Sequence, residues 1–355
     1  MNNLKTPAGL TIPEIEKQTS LPRFRAGQIY SWITRGQGDF EKMTDIPNSL
    51  REELKSRFNV FSCSVDQIYE EEGAKKIVIA LKDGLKIEAV LLNDGKNRLT
   101  ACLSTQAGCP AGCVFCRTGS IGFRRNLECA EIVEQFIILR REAGDNASLE
   151  DATENKEKHI IGNIVVMGMG EPLLNLQQLR KAIAVFTDRQ GMNLSLRRIT
   201  VSTCGIVPAL FDIAENGPYV RLALSLATAD ENLRRRLMPV TETNPLSKVK
   251  EALILYQRNG GGRVTLEAPL LGGVNTRDED AKCAADFAKG LDTVVNIIPW
   301  NPVAGLEFEG RPLREPEKKE TENFIRLLER RGLKVTTRLR KGQRIMGACG
   351  QLGSI

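Results

Sequence analysis

Aromatic residues make up only 5% of this 355-residue chain, and there is a single histidine. So few rings leave little material for an extended platform on which successive bases of a single strand could stack. One histidine, His159, excludes the histidine-rich sets that close many zinc sites and rules out paired-histidine acid–base chemistry. No apolar run is long enough to span a bilayer. The opening MNNLKTPAGLTIPEIEK lacks the charged start, apolar core and cleavage site of a secretory leader, which predicts a protein that works in the cytosol. Nine cysteines, unevenly placed and odd in number, do not make a disulfide framework in such a setting, and metal ligation or catalysis explains them better. The net charge of +6 and pI near 8.8 favour a polyanionic partner only slightly.

What is present divides the chain into regions. Residues up to about Val60 read as short helices, with Ile29, Trp32 and Ile33 on one face and punctuation at Pro22 and 44–49. This predicts a small N-terminal helical accessory domain over 1–62. Over 63–97 the runs KKIVIAL and LKIEAVLL flank Asp83-Gly84, a hairpin signal because Gly accepts positive φ. A third run, RLTACLS, leads into a cysteine loop. From 98 to 340 strands near 163–167, 198–202, 220–226, 263–268, 293–299 and 334–338 alternate with helices over 130–141, 176–188, 246–257, 277–288 and 316–331. Such alternation predicts an α/β fold with a parallel sheet, either a full or partial barrel or a doubly wound open sheet. The segment 144–158 is polar and acidic and reads as a solvated loop, and 341–355 forms a C-terminal segment. Basic clusters at Arg124–Arg125, Arg197–Arg198, Arg234–Arg236, Arg330–Arg331 and Arg338–Lys341 suit either an RNA backbone or solvated helix faces.

The chemistry concentrates in GCPAGCVFCRTG, where Cys109, Cys113 and Cys116 have CxxxCxxC spacing. Three thiolates on one short loop can hold three corners of a cubane iron–sulfur cluster, leaving one iron open to a substrate's amino and carboxylate groups. That arrangement suits radical chemistry driven by S-adenosylmethionine. A structural zinc site is the alternative, but it needs a fourth ligand close by. After the run IVVMG stands Met169-Gly170-Glu171-Pro172, whose carboxylate could receive an ammonium group. Ser202, Ser225 and Asn301 end further strands and could bind a cofactor, or act as local caps. Cys102 precedes the cluster loop, and Cys349 lies in the glycine-rich GACGQLG, where a thiolate could act as a nucleophile. Cys63, Cys129, Cys204 and Cys283 read as small apolar core residues.

Nearly the whole chain resembles the RlmN branch of the radical SAM RNA adenosine methyltransferases, the group that also holds the Cfr enzymes. The segments that carry the resemblance are FRAGQIYSWI, ACLSTQAGCPAGCVFCRTGSIGFRRNL, MGMGEPLLN, ITVSTCGIVPAL, LALSLATADENLRRRLMPV, NIIPWNPVAG and ACGQL. It implies a partial (β/α)6 radical SAM barrel with the helical accessory domain and β-hairpin extension. It further implies a 4Fe-4S cluster on Cys109, Cys113 and Cys116, and S-adenosylmethionine, two per turnover, bound by Gly170, Glu171, Ser202, Ser225, Leu226, Ala227 and Asn301. Cys349 would become an S-methylcysteine intermediate, Cys102 would resolve the RNA adduct through a transient disulfide with Cys349, and Glu88 would accept a proton. Read without the resemblance, Glu88 is a charge in an apolar run, as readily exposed as catalytic. The implied substrates are an adenosine in the peptidyl transferase region of 23S rRNA and the adenosine beside the anticodon of tRNA, with an electron donor such as flavodoxin and a monomeric enzyme. One departure stands out: the family has His where this chain has Ala227, which removes any imidazole contact. GEP and PWNP favour C2 over C8 methylation. C8 methylation, another radical SAM reaction and a zinc-stabilised RNA-binding protein remain the alternatives.

Overall fold

A computed structural model describes residues 6–95, 99–144, 161–338 and 340–354. The lone histidine and nearly all of the acidic insert fall outside the described residues. The chain opens with α1 (Ile12–Thr19), α2 (Arg23–Thr34) and α3 (Asn48–Arg57). Thr11 and Glu14 form a capping box that satisfies orphan donors at the start of α1. Of the face expected on α2, Ile29 and Ile33 are buried, while Trp32 is half-buried and donates to Asp45. Tyr30 supplies the buried bulk instead, because helical drift turns that position inward.

Strands β1 (Ser64–Glu71), β2 (Ala74–Ala80), β3 (Lys86–Asn93) and β4 (Leu99–Cys102) pair antiparallel in succession. The Asp83-Gly84 link closes with Gly84 N–H to Leu81 O at 3.0 Å, and Gly84 has φ 83°. β1 escapes a hydrophobicity reading because it is a polar, almost wholly exposed edge. The cysteine loop follows between β5 (Gln106–Gly108) and β6 (Phe123–Asn126), with α4 (Arg117–Ser120) inside it.

Then come α5 (Cys129–Glu142), β7 (Ile161–Val166), α6 (Leu176–Thr187), β8 (Ile199–Thr203), α7 (Val207–Asn216), β9 (Arg221–Ser225), α8 (Glu231–Leu237) and α9 (Leu246–Arg258). The series continues with β10 (Val264–Leu270), α10 (Asp278–Ala288), β11 (Thr293–Pro299), the ribbon β12 (Glu307–Phe308) and β13 (Arg311–Pro312), α11 (Lys318–Glu329) and β14 (Val335–Thr337).

The main sheet has ten strands in the order β1-β2-β3-β4-β7-β8-β9-β10-β11-β14. From β4 onward every pairing is parallel. A doubly wound sheet reverses its strand order at a switch point, whereas this order rises steadily with sequence, as in a barrel. The six strands from β4 to β11 form the (β/α)6 partial barrel, β14 adds a short seventh, and the hairpin strands extend the same sheet. Loops after the parallel strands gather at one end, where polar residues can converge. The N-terminal region leans on the barrel through α5 and α6: Gly9 approaches Ala130 so closely that a Cβ would lie 2.3 Å from its nitrogen, and Tyr30 on α2 donates its hydroxyl to Val185 O on α6 at 3.5 Å. Among the described residues no helix is long and apolar enough to cross a membrane.

Candidate active site

The cysteine loop is pinned on all sides. Gly108 has φ 76°, and a Cβ there would sit 1.8 Å from Gly122 O, so only glycine fits this turn into the loop. Cys109 N donates to Gly122 O, Cys116 N to Cys113 O, and Val114 N to Leu237 O. Trp300 Nε1 reaches Phe115 O at 2.9 Å. The C-terminal tail completes the enclosure: Arg117 N donates to Gly350 O at 2.8 Å and Thr118 Oγ1 to Leu352 O at 2.6 Å.

Cys109, Cys113 and Cys116 line one cavity that also meets Glu171, Ser202, Ser225, Asn301 and Cys349. Burial pushes all three thiols up, Cys109 to about 12, so a bound cation must drive off their protons. Among the described residues no three His, Cys, Asp or Glu side chains group closely enough to hold one ion. A tetrahedral zinc would need its sulfurs within about 3.8 Å of each other, given Zn–S bonds of about 2.3 Å. An iron–sulfur cluster takes each thiolate at a different iron, so thiols spread around a cavity suit it. Asn301 adds an independent sign: its Oδ1 is buried without a partner, an acceptor waiting for a donor that the chain does not supply.

Glu171 is held rigidly at that cavity. Its carboxylate accepts from Thr203 Oγ1 at 2.7 Å, Cys204 N at 2.7 Å and Leu173 N at 2.9 Å. Burial still raises its carboxyl, which an incoming ammonium would offset. Gly170, at φ 104°, packs so tightly that a Cβ would lie 2.8 Å from Gln106 N. Ser202 on β8 and Ser225 on β9 bring their hydroxyls to 3.2 Å. Leu226 and Ala227 do not line the cavity. Their amides donate to Glu267 O at 2.9 and 3.3 Å, and Ala227 stands at φ 56° with its carbonyl bonded to Asn275. That backbone region is uncommon for a residue that carries a Cβ, so Ala227 holds a local strain.

A second cavity is lined by Cys102, Cys349, Asn301 and Arg338. Cys349 therefore faces both, and Asn301 Nδ2 fixes its carbonyl at 3.0 Å. Burial first, and then a Cys349 thiolate, push Cys102 up to about 12, with Arg338 opposing. Glu88 is wholly buried and lines neither cavity. It is tied to Lys76 Nζ at 2.9 Å and to Gly353 N at 2.6 Å, under the tail. Since Val90 pairs with Cys102, Glu88 two residues earlier on β3 shares the sheet face that carries Cys102.

Four residues stand here that the sequence reading passed over or misplaced. Lys76 looked like one of two lysines opening a strand, yet the hairpin register sets it diagonal to Glu88, and pairing the two runs across Asp83-Gly84 would have found it. Glu267 and Cys204 line the first cavity, so Cys204 is more than core filling. Arg234, read as part of a basic surface cluster, is fully buried. Its guanidinium donates to Leu226 O, Cys204 O, Ser225 O and Thr241 Oγ1, holding the ends of β8 and β9. Arg234→Met removes four hydrogen bonds at the buried ends of β8 and β9 and should destabilise the fold by about 3 kcal/mol or more, read as a lowered urea midpoint; an unchanged midpoint would refute this role.

The Radical SAM superfamily model matches residues 103–282, and a model of the ribosomal RNA large subunit methyltransferase N-terminal domain matches 16–60. A Treponema denticola protein described as a probable dual-specificity RNA methyltransferase RlmN is 45% identical, with 98% of this chain and 95% of that protein covered. A Thermus thermophilus protein of the same description is 39% identical, over 93% of this chain and 88% of its own length. The crystal structure of a radical SAM methyltransferase from Sphaerobacter thermophilus superposes with TM-score 0.90 at 34% identity, covering 99% of this chain and 100% of that one. Thiols, partial barrel and near-full-length likeness agree: the chain belongs to the RlmN family of the radical SAM superfamily.

Proposed function

We propose that this protein is a radical SAM RNA methyltransferase that methylates C2 of an adenosine through a covalent intermediate on Cys349. The observation that carries the reading is the placement of Cys349 between two cavities, one lined by the three loop cysteines and the other by Cys102. Cys109, Cys113 and Cys116 would hold a 4Fe-4S cluster, and Gly170, Glu171, Ser202, Ser225 and Asn301 would hold S-adenosylmethionine, Asn301 through its free Oδ1, whereas Leu226 and Ala227, whose backbone groups are already bonded, do not line that cavity. The cofactor, of which two molecules would be consumed per turnover, would together with the cluster supply the methyl carbon and the radical that activates it.

The chain's own groups do the rest. Cys349 carries the carbon as a thioether and delivers it to C2 of the base. Glu88 takes the C2 proton, and the unpaired electron that radical addition leaves in the adduct would pass to a one-electron acceptor, a role the bound iron–sulfur cluster would fill. Cys102, as thiolate, attacks the Cys349 sulfur: an S–S bond forms, the S–CH2 bond breaks, and its electron pair stays on the methylene carbon, which gains a proton to become methyl. Two thiols are thereby oxidised, and an external dithiol must reopen the disulfide. Pro172 after Glu171 and Trp300 before Asn301 favour C2 over C8.

For substrates we infer an adenosine of the peptidyl transferase region in 23S rRNA and the adenosine beside the anticodon in tRNA. Their reactive edge must be unstacked to reach the cavity. Residues 1–62 would serve as the RNA-binding accessory domain, 63–97 as the extension into the barrel, 98–340 as the barrel, and 341–355 as the thiol-bearing segment. A flavodoxin-type electron donor, a monomeric state and a cytosolic setting complete the reading. Mass spectrometry of nucleosides from RNA incubated anaerobically with the iron-loaded protein, S-adenosylmethionine and a reductant should reveal 2-methyladenosine. Finding 8-methyladenosine or unmodified RNA would overturn the assignment.

A further inference from the structure

Lys76 and Glu88 form a buried pair that the thiol chemistry alone does not require. Lys76 is 4% exposed and Glu88 0%, on one face of the β2–β3 hairpin. A carboxylate cut off from water with no cation beside it reverts to the neutral acid, and a neutral acid cannot accept a proton. Lys76 Nζ, 2.9 Å from Oε1, is the group that opposes this. The same ammonium donates to Met346 O at 3.4 Å, and the other carboxylate oxygen accepts from Gly353 N at 2.6 Å. Met346 and Gly353 stand on either side of Cys349, so one ion pair touches both flanks of the segment that carries the thiol.

The remaining surroundings supply no substitute for Lys76. Tyr69 on β1 places its ring 5.0 Å from Lys76 Nζ. Lys86, farther along β3, is paired with Asp66 at 2.8 Å. On β4 the titratable neighbour is Cys102, and the tail from Ile345 to Ser354 offers Cys349 and no charged side chain. On α5, the helix packed on β3, Glu131 is engaged by Arg125 and Glu134 by Ser62 and Cys63.

We propose that Lys76 is the positioning residue for proton removal: it keeps Glu88 ionised beneath the tail, so that when the C2–H bond breaks the proton passes to the carboxylate, the bonding pair stays in the ring, and the adduct's unpaired electron leaves to the one-electron acceptor that a bound iron–sulfur cluster would supply. This rests on the reading of Glu88 as proton acceptor. Docking of the tail does not depend on Lys76, because Asn301, Thr118, Arg117 and the bond from Gln351 Nε2 to Pro302 O hold it independently.

The test compares iron-loaded wild type, Lys76→Met, Lys76→Arg and Glu88→Gln. Each is scored for S-methylation of the Cys349 peptide by mass spectrometry, RNA–protein adduct on denaturing gels, and 2-methyladenosine formed as a function of pH. Lys76→Met should retain Cys349 methylation, accumulate adduct, and lose turnover at neutral pH by about a hundredfold, the scale of a lost general base. With its cation gone the buried Glu88 carboxylate is left uncompensated, so the loss should be deepest at low pH and turnover of Lys76→Met should rise as the solution becomes more alkaline. Lys76→Arg, which keeps a cation, should recover part of the rate at neutral pH. Neutral-pH turnover of Lys76→Met equal to wild type, a loss equally deep at every pH, or no rescue by arginine would overturn the inference. If Glu88→Gln turns over like wild type, the proton-acceptor reading falls and this inference with it. A dead Glu88→Gln beside a pH-independent Lys76→Met defeats the role of Lys76 alone.

Discussion

RNA incubated with the Cys102→Ala variant, S-adenosylmethionine and a reductant should become covalently attached to the protein through Cys349. Cys349 and Cys102 line one cavity, and no other described cysteine does so. Removing Cys102 therefore leaves the adduct without a thiol to break its S–CH2 bond. Turnover should cease at no more than one methylene-bridged RNA per enzyme, and the complex should survive denaturing electrophoresis until the protein is digested. Cys102→Ala removes one sulfur from a 6% exposed site, so the fold should lose only on the order of 1 kcal/mol. A variant that turns over normally, or that carries no RNA while the wild type is active, contradicts the resolving role. The Cys102→Ala/Cys349→Ala double variant should capture nothing, which identifies the attachment point.

The second large effect is on iron. Cys113→Ala should fail to develop visible-region absorption after anaerobic reconstitution with iron and sulfide, and its methylation of RNA should fall to background. Three protein ligands are the minimum here: the single histidine is His159, and no described carboxylate groups with the thiols into a substitute site. The apo fold should hardly notice, because the metal-free thiol is neutral, held well above its ordinary pKa by burial, and alanine replaces it with little loss of packing. Wild-type protein that binds stoichiometric zinc and stays colourless would sink the cluster assignment, and a fully absorbing Cys113→Ala would remove that residue from it.

Much of the barrel could be read from alternation alone, since fully buried parallel strands make apolar runs that stand out between amphipathic helices. β11 occupies the stretch expected of it, and α6 and α9 differ by a residue at one end. Edges fared worse. β1 carries SVDQIYEE, whose mixed polarity follows from having a partner on one side and water on the other, so no core pattern marks it. Helices α7 and α8 fall in the intervals between strands where the alternation expects helices, without bounds set for them in advance. The candidate site was legible where chemistry is written in spacing, as in the cysteine loop and GEP. It was illegible where burial decides meaning: Arg234 in LRRRL is indistinguishable by sequence from its exposed neighbours Arg235 and Arg236. The reading of Glu88 as exposed or catalytic needed the register of β2 against β3 to expose its partner Lys76. Leu226 and Ala227, expected at the cofactor, do not line the cavity, and their amides are bonded to Glu267 O instead.

The tail lies over the cysteine loop like a lid seated last. Gly350 O and Leu352 O take hydrogen bonds from Arg117 and Thr118, and a Cβ at Gly353 would press within 2.9 Å of Ile121. During synthesis the loop leaves the ribosome more than two hundred residues ahead of that tail. Parallel strands β7 to β11 are therefore made while the three thiols still lack the tail, which gives the nascent chain an interval in which the loop is open on a side that the tail later covers. Order of translation would then act as an assembly timer, with the thiol that needs the cluster arriving only after the cluster's place has been built.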